Sequence, residues 1–374
     1  TTGFDELRTH LDAVDIAESC RAAGVPEAQV REAADVIGRA TGGVSIFEDL
    51  GIQMAPHSTL NSYLEKLVVL LTGNFGVRGG MNLHTRFASL GGGGGGGTRV
   101  TPVTGHRLVT GLVPCNVIPE EIIGDHPDRF RAMLVESGNP VHSLADSQAM
   151  REAMRQLDFV CVIDVAMTET AREADYVLPG ASQFEKWECT FFNLEFPSNY
   201  FHLRRPVFEP LDGTLPEYEI HSRLCRALGA YDDERLVPLT EAAEAGRTEY
   251  TAALFQFMVD NPDLGKLLPI VLYETLGPTL RTPDGVDAAG ASAVWGLAQQ
   301  AAGFWDASIR RAGIDGDPLG DALFDHVLAN PSGIIFSTDD YDETMKRLLT
   351  PDGRVNLVIP ALLEEFDGLA SEPS

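Results

Sequence analysis

Residues 158–188 read DFVCVIDVAMTETAREADYVLPGASQFEKWE, and this stretch decides the fold. FVCVID predicts a buried strand, a short helical crossover follows around Thr170, and DYVLP predicts a second strand. Successive strands joined in this way lie parallel, and open parallel sheets hold nucleotide-like ligands outside the carboxyl ends of their strands. Asp164, which ends the first strand, and Lys186, which follows the second, are therefore expected at a ligand-binding edge.

The preceding segment continues the same alternation of strand and helix. FRAMLVES, at 130–137, predicts a strand that runs into Gly138 and Asn139. The helix after it has an apolar face formed by Met150, Ala153, Met154 and Leu157. Because parallel strands present their carboxyl ends at one edge, Asn139 and Asp164 should lie together there. A last helix is predicted over 218–228.

The first part of the chain also alternates. An amphipathic helix is predicted over 26–40, an apolar strand from residue 44, and a second helix from Leu60 that closes at Gly73. The sequence therefore predicts an α/β protein with two Rossmann-like parallel-sheet units, the first of them partial, followed by a mainly helical and loop segment. The expected boundaries are 1–90, a linker at 91–99, 100–230 for the second unit and 231–374 for the last segment.

Seven consecutive glycines at 91–97 formally satisfy the GxGxxG pattern of dinucleotide-binding proteins. The run neither follows a predicted strand nor opens a helix, so a flexible linker or mobile loop is the better interpretation. A generic nicotinamide dehydrogenase therefore lacks support in this sequence.

Composition restricts the kinds of partner. The formal net charge of -27 argues against a large surface for nucleic acid or anionic membrane, because phosphate binding needs clustered Lys and Arg. The longest apolar run, at 67–71, is far too short to span a bilayer, so a soluble protein without membrane insertion is expected. The chain does not begin with Met and opens as if within a domain. Its compartment stays open, with the cytoplasm favoured over the periplasm.

The five cysteines are scattered and show no CxxC spacing, and the nine histidines form no HxxxH or HExxH pair. Reduced thiols are expected. The sequence predicts no metal site or iron-sulfur cluster built wholly from this chain.

Several motifs in fixed order carry a resemblance to a known family. They are LLTGNFGVRGGMNL at 70–83, GNPVHSLAD at 138–146, the stretch 157–188, TFFNLE at 190–195 and PDGRVNL at 351–357. Together they resemble the molybdopterin-dependent oxidoreductases of the dimethyl-sulfoxide-reductase type, which include formate dehydrogenases and periplasmic nitrate reductases. The combination is specific, although no single motif is.

The resemblance implies the central fragment of a catalytic subunit. Such a subunit holds two molybdopterin guanine dinucleotides on one molybdenum or tungsten (Mo-bis-MGD), usually with a 4Fe-4S cluster. The cluster cysteines and the metal ligand are expected upstream of this chain and a cofactor-capping domain downstream, so the fragment alone should be inactive. The implied partners are a small-molecule substrate and an electron-transfer protein or subunit. The alternative is a non-catalytic structural homologue that has lost the cofactor.

The resemblance also assigns cofactor contacts at the sheet edge. Asp164 would accept hydrogen bonds from guanine, although an aspartate there could instead cap the next helix. Gly138 and Asn139 would approach the cofactor, or form an ordinary turn into a helix. Lys186 would lie beside the pyrophosphate or guanine, unless it is simply solvated. Glu217 would be a further nucleotide contact, or a first-turn residue that favours the helix dipole.

A further set of residues would lie near the metal and substrate. Many family members read NxxRG where this chain reads NLHTRF, so Asn82 is assigned to the cofactor, and His84 or Arg86 is the residue nearest the metal. A second departure follows at NLEFP, where Asn193 and Glu195 fit the family's NxEGR but Phe-Pro replaces Gly-Arg.

Overall fold

The computed structural model describes residues 1–88, 99–109, 111–190 and 194–372. Its α-helices are α1 (Phe4–Asp12), α2 (Ile16–Ala22), α3 (Glu27–Arg39), α4 (Leu50–Gln53), α5 (Ser58–Leu71), α6 (Ile118–Ile123), α7 (Pro140–Ser143), α8 (Ser147–Met154), α9 (Glu217–Ala227), α10 (Asp233–Ala245), α11 (Arg247–Asp260), α12 (Leu268–Thr275), α13 (Ser292–Arg311), α14 (Leu319–Ala329) and α15 (Pro360–Gly368). Its strands are β1 (Ala132–Glu136), β2 (Phe159–Asp164), β3 (Tyr176–Pro179), β4 (Glu188–Cys189), β5 (Ser198–Phe201), β6 (Leu203–Arg204) and β7 (Ile334–Thr338). The predicted mixed α/β class is confirmed.

The chain forms two compact units that are discontinuous in sequence. The first consists of Thr1–Thr85, Leu194–Asn199 and Ser337–Ser374, and the second of Arg86–Asn193 and Tyr200–Phe336. The boundaries expected at 90, 100 and 231 stay predictions. Most of the expected linker at 91–99 lies outside the described residues.

The first unit is helical, and its core joins α1, α5 and α15. The buried residues of this core are Leu7, Leu60, Tyr63, Leu67, Leu357 and Leu363. The helix predicted from Leu60 is confirmed as α5, and Gly73 beyond it has a φ of 73°, the left-handed conformation that favours glycine. The helix predicted over 26–40 is confirmed as α3, but none of its residues is buried.

The strand predicted from residue 44 is wrong. Residues 43–49 are irregular, and the backbone N–H of Val44 donates to the side chain of Asn74 (2.8 Å) rather than to a neighbouring strand. Phe47 is 87% exposed. An apolar run alone does not make a strand, because a strand also needs a partner for its backbone hydrogen bonds.

A three-stranded parallel sheet in the order β1-β2-β3 organises the first half of the second unit. β2 is central, and Val160, Cys161, Val162 and Ile163 are buried, so the strand is covered on both faces as parallel sheets require. The predicted face of α8 is confirmed for Met150, Ala153 and Met154, which are buried, whereas Leu157 lies beyond the end of the helix and is half-buried. The connection from β2 to β3 contains only the short 3-10 helix Ala171–Glu173.

Beyond Gly229 the second unit is mainly helical, as predicted. α10 to α14 surround a core in which the Tyr250 ring meets Trp295 edge-on, with ring centroids 5.5 Å apart. No helix among the described residues combines the length and apolar composition that a membrane span requires.

One buried carboxylate fixes the loop that enters this unit. Glu121 of α6 is fully buried, and it accepts hydrogen bonds from the N–H groups of Val103 (3.0 Å) and Thr104 (2.8 Å) and from the Thr104 hydroxyl (2.6 Å). Burial by itself raises the pKa of Glu121, but these hydrogen bonds outweigh it and lower the pKa from 4.5 to about 2.

Replacing this carboxylate should destabilise the second unit. We expect Glu121→Gln to lower the free energy of unfolding by about 2 kcal/mol at neutral pH, because the amide cannot accept all three hydrogen bonds. A carboxylate whose pKa is lowered in the folded state stabilises the fold fully above its ordinary pKa of 4.5, and this stabilisation disappears as the pH falls towards about 2. The difference in the free energy of unfolding between Glu121→Gln and the unsubstituted chain, measured by denaturant unfolding, should therefore narrow over that range. Glu120→Gln, at an exposed neighbour, is the control, and equal effects of both changes would contradict the prediction.

Candidate functional site

The carboxyl ends of the three parallel strands form the candidate site. Beyond the strands the backbone ladder continues, with Ser137 N–H donating to Ile163 O (3.0 Å) and Gly180 N–H to Asp164 O (3.1 Å). Asp164 lies opposite Pro179 in the register. The ends of β1, β2 and β3 are thus held side by side, as the sequence predicts.

Asp164 uses one carboxylate oxygen locally and keeps the other available. Oδ1 accepts hydrogen bonds from the N–H groups of Val165 (2.7 Å) and Ala166 (3.2 Å). Oδ2 accepts none from the residues that the structure describes. Asp164 therefore binds the bend at 165–166 and does not cap a helix, and acceptor positions remain for a ligand because a carboxylate offers about four of them.

Gly138 is not required by the packing of the chain. A Cβ at this position would meet its nearest neighbour, Glu136 O, at 3.6 Å, which is an ordinary contact. The left-handed residue of this turn is instead Ser137, with a φ of 50°. Such a conformation in a non-glycine residue is uncommon and is often found at functional sites. The packing of the described residues therefore does not explain a glycine at this position.

Asn139 is bound to the connection that follows β2. Its Oδ1 accepts hydrogen bonds from the N–H (3.1 Å) and the hydroxyl (2.7 Å) of Thr170, and its Nδ2 donates to Glu169 Oε2 (2.7 Å). The same hydroxyl accepts the N–H of Val141 (3.0 Å). The second N–H of the Asn139 amide has no partner among these contacts.

Lys186 and Glu217 bind each other. The Lys186 ammonium donates to Glu217 Oε1, and Glu188 lies 4.0 Å from the same nitrogen. The side chains of Lys186 and Glu217 are only 13% and 16% exposed. The two predicted cofactor contacts therefore form a largely buried ion pair.

The loop that carries Lys186 is fixed by Glu185. Its carboxylate accepts the N–H groups of Ser182 (2.7 Å) and Leu211 (3.1 Å), and the hydrogen bonds from Ser182 lower the pKa of Glu185. Glu185 thereby closes the turn after β3.

The residues predicted near the metal fall into different units. Asn82 lies in the first unit, where its amide donates to the carbonyls of Val77 and Gly80 (both 3.2 Å) and accepts from the Thr344 hydroxyl (3.1 Å). His84 lies in the same unit and is partly buried. Arg86 belongs to the second unit, is exposed, and makes no hydrogen bond or ion pair with a described residue. Asn193 is outside the described residues.

Sequence reasoning missed Glu169 and Thr170 as parts of this site. Thr170 is fully buried, although a threonine in a crossover is usually exposed. The available signal in the sequence was its place in a segment too short for a complete helix. No group of three or more His, Cys, Asp or Glu side chains suited to a metal ion occurs within the described ranges.

Comparison with known proteins identifies the family of this sheet. Residues 50–227 match the molybdopterin oxidoreductase family. The alpha subunit of F420-dependent formate dehydrogenase 2 from Methanococcus maripaludis is 26% identical over 263 residues, covering 62% of this chain and 36% of that protein. The assimilatory nitrate reductase catalytic subunit of Bacillus subtilis is 26% identical over 217 residues, covering 52% and 30%.

A solved structure shares the fold. Acetylene hydratase from Pelobacter acetylenicus aligns with a TM-score of 0.51 at 19% identity, over 61% of this chain and 36% of its own. Residues 50–227, which contain the parallel sheet and its carboxyl edge, match the molybdopterin oxidoreductase family, and the predicted resemblance is confirmed. This match implies a molybdopterin cofactor. The chain spans about a third of the length of the curated relatives it matches.

The Lys186–Glu217 pair should show strong energetic coupling. In a double-mutant cycle of Lys186→Met and Glu217→Gln, we expect about 1–2 kcal/mol of coupling in the free energy of unfolding, because each single change leaves a largely buried group without its partner. The control is the cycle of Arg8→Gln and Asp12→Asn. This ion pair is exposed on both sides, and its coupling should stay below about 0.5 kcal/mol. Additive effects at Lys186 and Glu217 would show that the pair does not stabilise the loop.

Proposed function

We propose that this chain is the central part of a molybdenum or tungsten oxidoreductase, and that the carboxyl edge of its parallel sheet binds the guanine end of a molybdopterin guanine dinucleotide. The observation that carries the proposal is Asp164, whose Oδ1 is fixed by two backbone N–H groups while Oδ2 has no partner among the described residues. A carboxylate held in this way is ready to accept hydrogen bonds.

The hydrogen-bonding edge of guanine suits this carboxylate. Guanine presents a ring N–H and an exocyclic amino group side by side, and both donate. Two of the acceptor positions of Asp164 are used by Val165 and Ala166, which leaves the lone pairs of Oδ2 for the base. Charge-assisted hydrogen bonds of this kind contribute about 1.5–3 kcal/mol each. Adenine presents an acceptor in place of the ring N–H, so the same carboxylate should disfavour it.

The neighbouring residues can receive the rest of a nucleotide. Gly138 would leave its backbone open to the ligand, and Asn139 holds the connection after β2 at the same edge of the sheet. Lys186 has three N–H donors, of which Glu217 takes one, so the remaining donors can bind a pyrophosphate while Glu217 holds the ammonium in place. Glu217 then contributes to nucleotide binding through Lys186.

Asn82 is proposed to contact the cofactor, and His84 and Arg86 are proposed for the metal and substrate side. Arg86 has the strongest support, because its guanidinium is exposed and makes no hydrogen bond or ion pair with a described residue. Its donors could bind an anionic substrate or stabilise developing negative charge. When bound, the molybdopterin-held metal would supply the redox chemistry, and residues of this chain would bind and orient the cofactor and substrate.

The whole protein would act on a small-molecule substrate and exchange electrons with a protein or subunit. We also propose that the cofactor is the two-pterin form, Mo-bis-MGD, and that the full-length protein would hold a 4Fe-4S cluster outside this segment. The support is the family match over 50–227 together with relatives that are formate dehydrogenase and nitrate reductase subunits.

Nucleotide binding tests the proposal without the labile cofactor. With GDP as the probe, calorimetry should detect binding to the chain and a preference for GDP over ADP. Asp164→Asn should weaken GDP binding by about 10- to 100-fold, because one or two charge-assisted hydrogen bonds are lost, and should abolish the preference.

Asp158→Asn is the matched control, since Asp158 precedes the same strand at its opposite end and pairs with Arg131. It should change GDP affinity by less than about twofold. The proposal fails if Asp164→Asn binds GDP as tightly as the unsubstituted chain, or if that chain does not distinguish GDP from ADP.

A further inference from the structure

The contacts of Asn139 point to a role different from ligand binding. All three of its side-chain hydrogen bonds go to Glu169 and Thr170, thirty and thirty-one residues away along the chain. Both lone pairs of Oδ1 are used, and one of the two N–H donors is used. A ligand could therefore reach only a single donor of this side chain.

The partner of Asn139 is itself deeply embedded. Thr170 is fully buried, and its hydroxyl donates to Asn139 while it accepts the Val141 N–H. Buried polar groups that lose a hydrogen bond are costly, so the loop after β1 and the connection after β2 are held together at this point. The hydrogen bond from Asn139 is also the main cause of the lowered pKa of Glu169.

This connection begins at Asp164. Residues 165–169 link Asp164 to Thr170, and Thr168 N–H donates to Ala166 O (2.9 Å) within them. The N–H groups of Val165 and Ala166 fix Oδ1 of Asp164. Asn139 thus holds the far end of the short segment whose first two N–H groups bind Oδ1 of Asp164.

We propose that Asn139 is a positioning residue for the nucleotide site, which fixes the connection 165–170 so that Asp164 presents Oδ2 to the base. This inference rests on the proposed function. It replaces the predicted direct contact between the Asn139 amide and the cofactor with an indirect one, and it gives Glu169 and Thr170 a part in the site.

The direction of the hydrogen bond between Asn139 and Glu169 can be inverted by exchanging the amide of Asn139 with the carboxylate of Glu169. Asn139→Asp keeps the oxygen that accepts from Thr170, but it replaces the donor that faces Glu169 with a second carboxylate. Glu169→Gln removes that repulsion and supplies an amide N–H. The double variant therefore restores one hydrogen bond of the original length with its direction inverted.

The test uses two readouts on the same set of variants. The first is amide hydrogen exchange of residues 165–170 without any ligand, and the second is the affinity for GDP. Asn139→Asp should speed exchange in this segment and weaken GDP binding, each by about tenfold, which corresponds to about 1.4 kcal/mol. N139D/E169Q should return both to within about threefold of the unsubstituted chain. Asn116→Asp, which adds the same charge at an exposed position of this unit, should change neither.

Each outcome bears on one conclusion. Asn139→Asp could leave amide exchange unchanged and still abolish GDP binding, and adding Glu169→Gln could fail to restore that binding. This result would mean that the Asn139 amide contacts the nucleotide directly, and the inference would be wrong. Failure of the double variant to restore either readout also overturns it. If the unsubstituted chain does not bind GDP at all, the proposed function itself fails, and the exchange measurements still decide whether Asn139 holds the connection.

Discussion

Parallel pairing of β2 with a strand on each side is the constraint on which the candidate site depends. Because β2 is buried on both faces, the usual alternation of apolar and polar residues cannot select its register. Polar contacts at the two ends of the sheet fix it instead. At the amino end, Asp175 accepts the N–H of Val160 (2.7 Å), and at the carboxyl end Asn139 binds Thr170. A slip of one residue would break both sets of contacts and turn Asp164 away from the edge.

The sequence was sufficient where the evidence was local. The apolar runs at 130–137 and 158–164 and the helix between them depend on neighbouring residues, and the structure confirms them. The strand predicted from residue 44 required a partner that the local sequence does not specify, and that prediction is wrong. The exposure of α3 has the same cause, since a helical apolar stripe indicates a face that can be buried without showing what covers it.

The parts of the candidate site that the sequence could not predict have a related physical origin. The order of strands is enough to place Asn139 and Asp164 at one edge, because the carboxyl ends of parallel strands meet there. It does not reveal that Asn139 binds Glu169 or that Lys186 binds Glu217, since each pair is separated by about thirty residues. Such contacts depend on loop geometry, and a polar residue that serves another protein group has the same appearance in sequence as one that serves a ligand.

Electrostatics explains why the site would rely on a few local contacts. A protein with a net charge of -27 repels an anionic cofactor at long range, although salt screens this repulsion beyond about 8–10 Å. In the proposed site Asp164 would avoid the conflict, because it would accept hydrogen bonds from the neutral, hydrogen-donating edge of a base. Lys186 is paired with Glu217, so its charge is not left unpaired in a largely buried position before an anion binds. A nucleotide would therefore be anchored first by its base, and the ion pair would then share the lysine with the pyrophosphate.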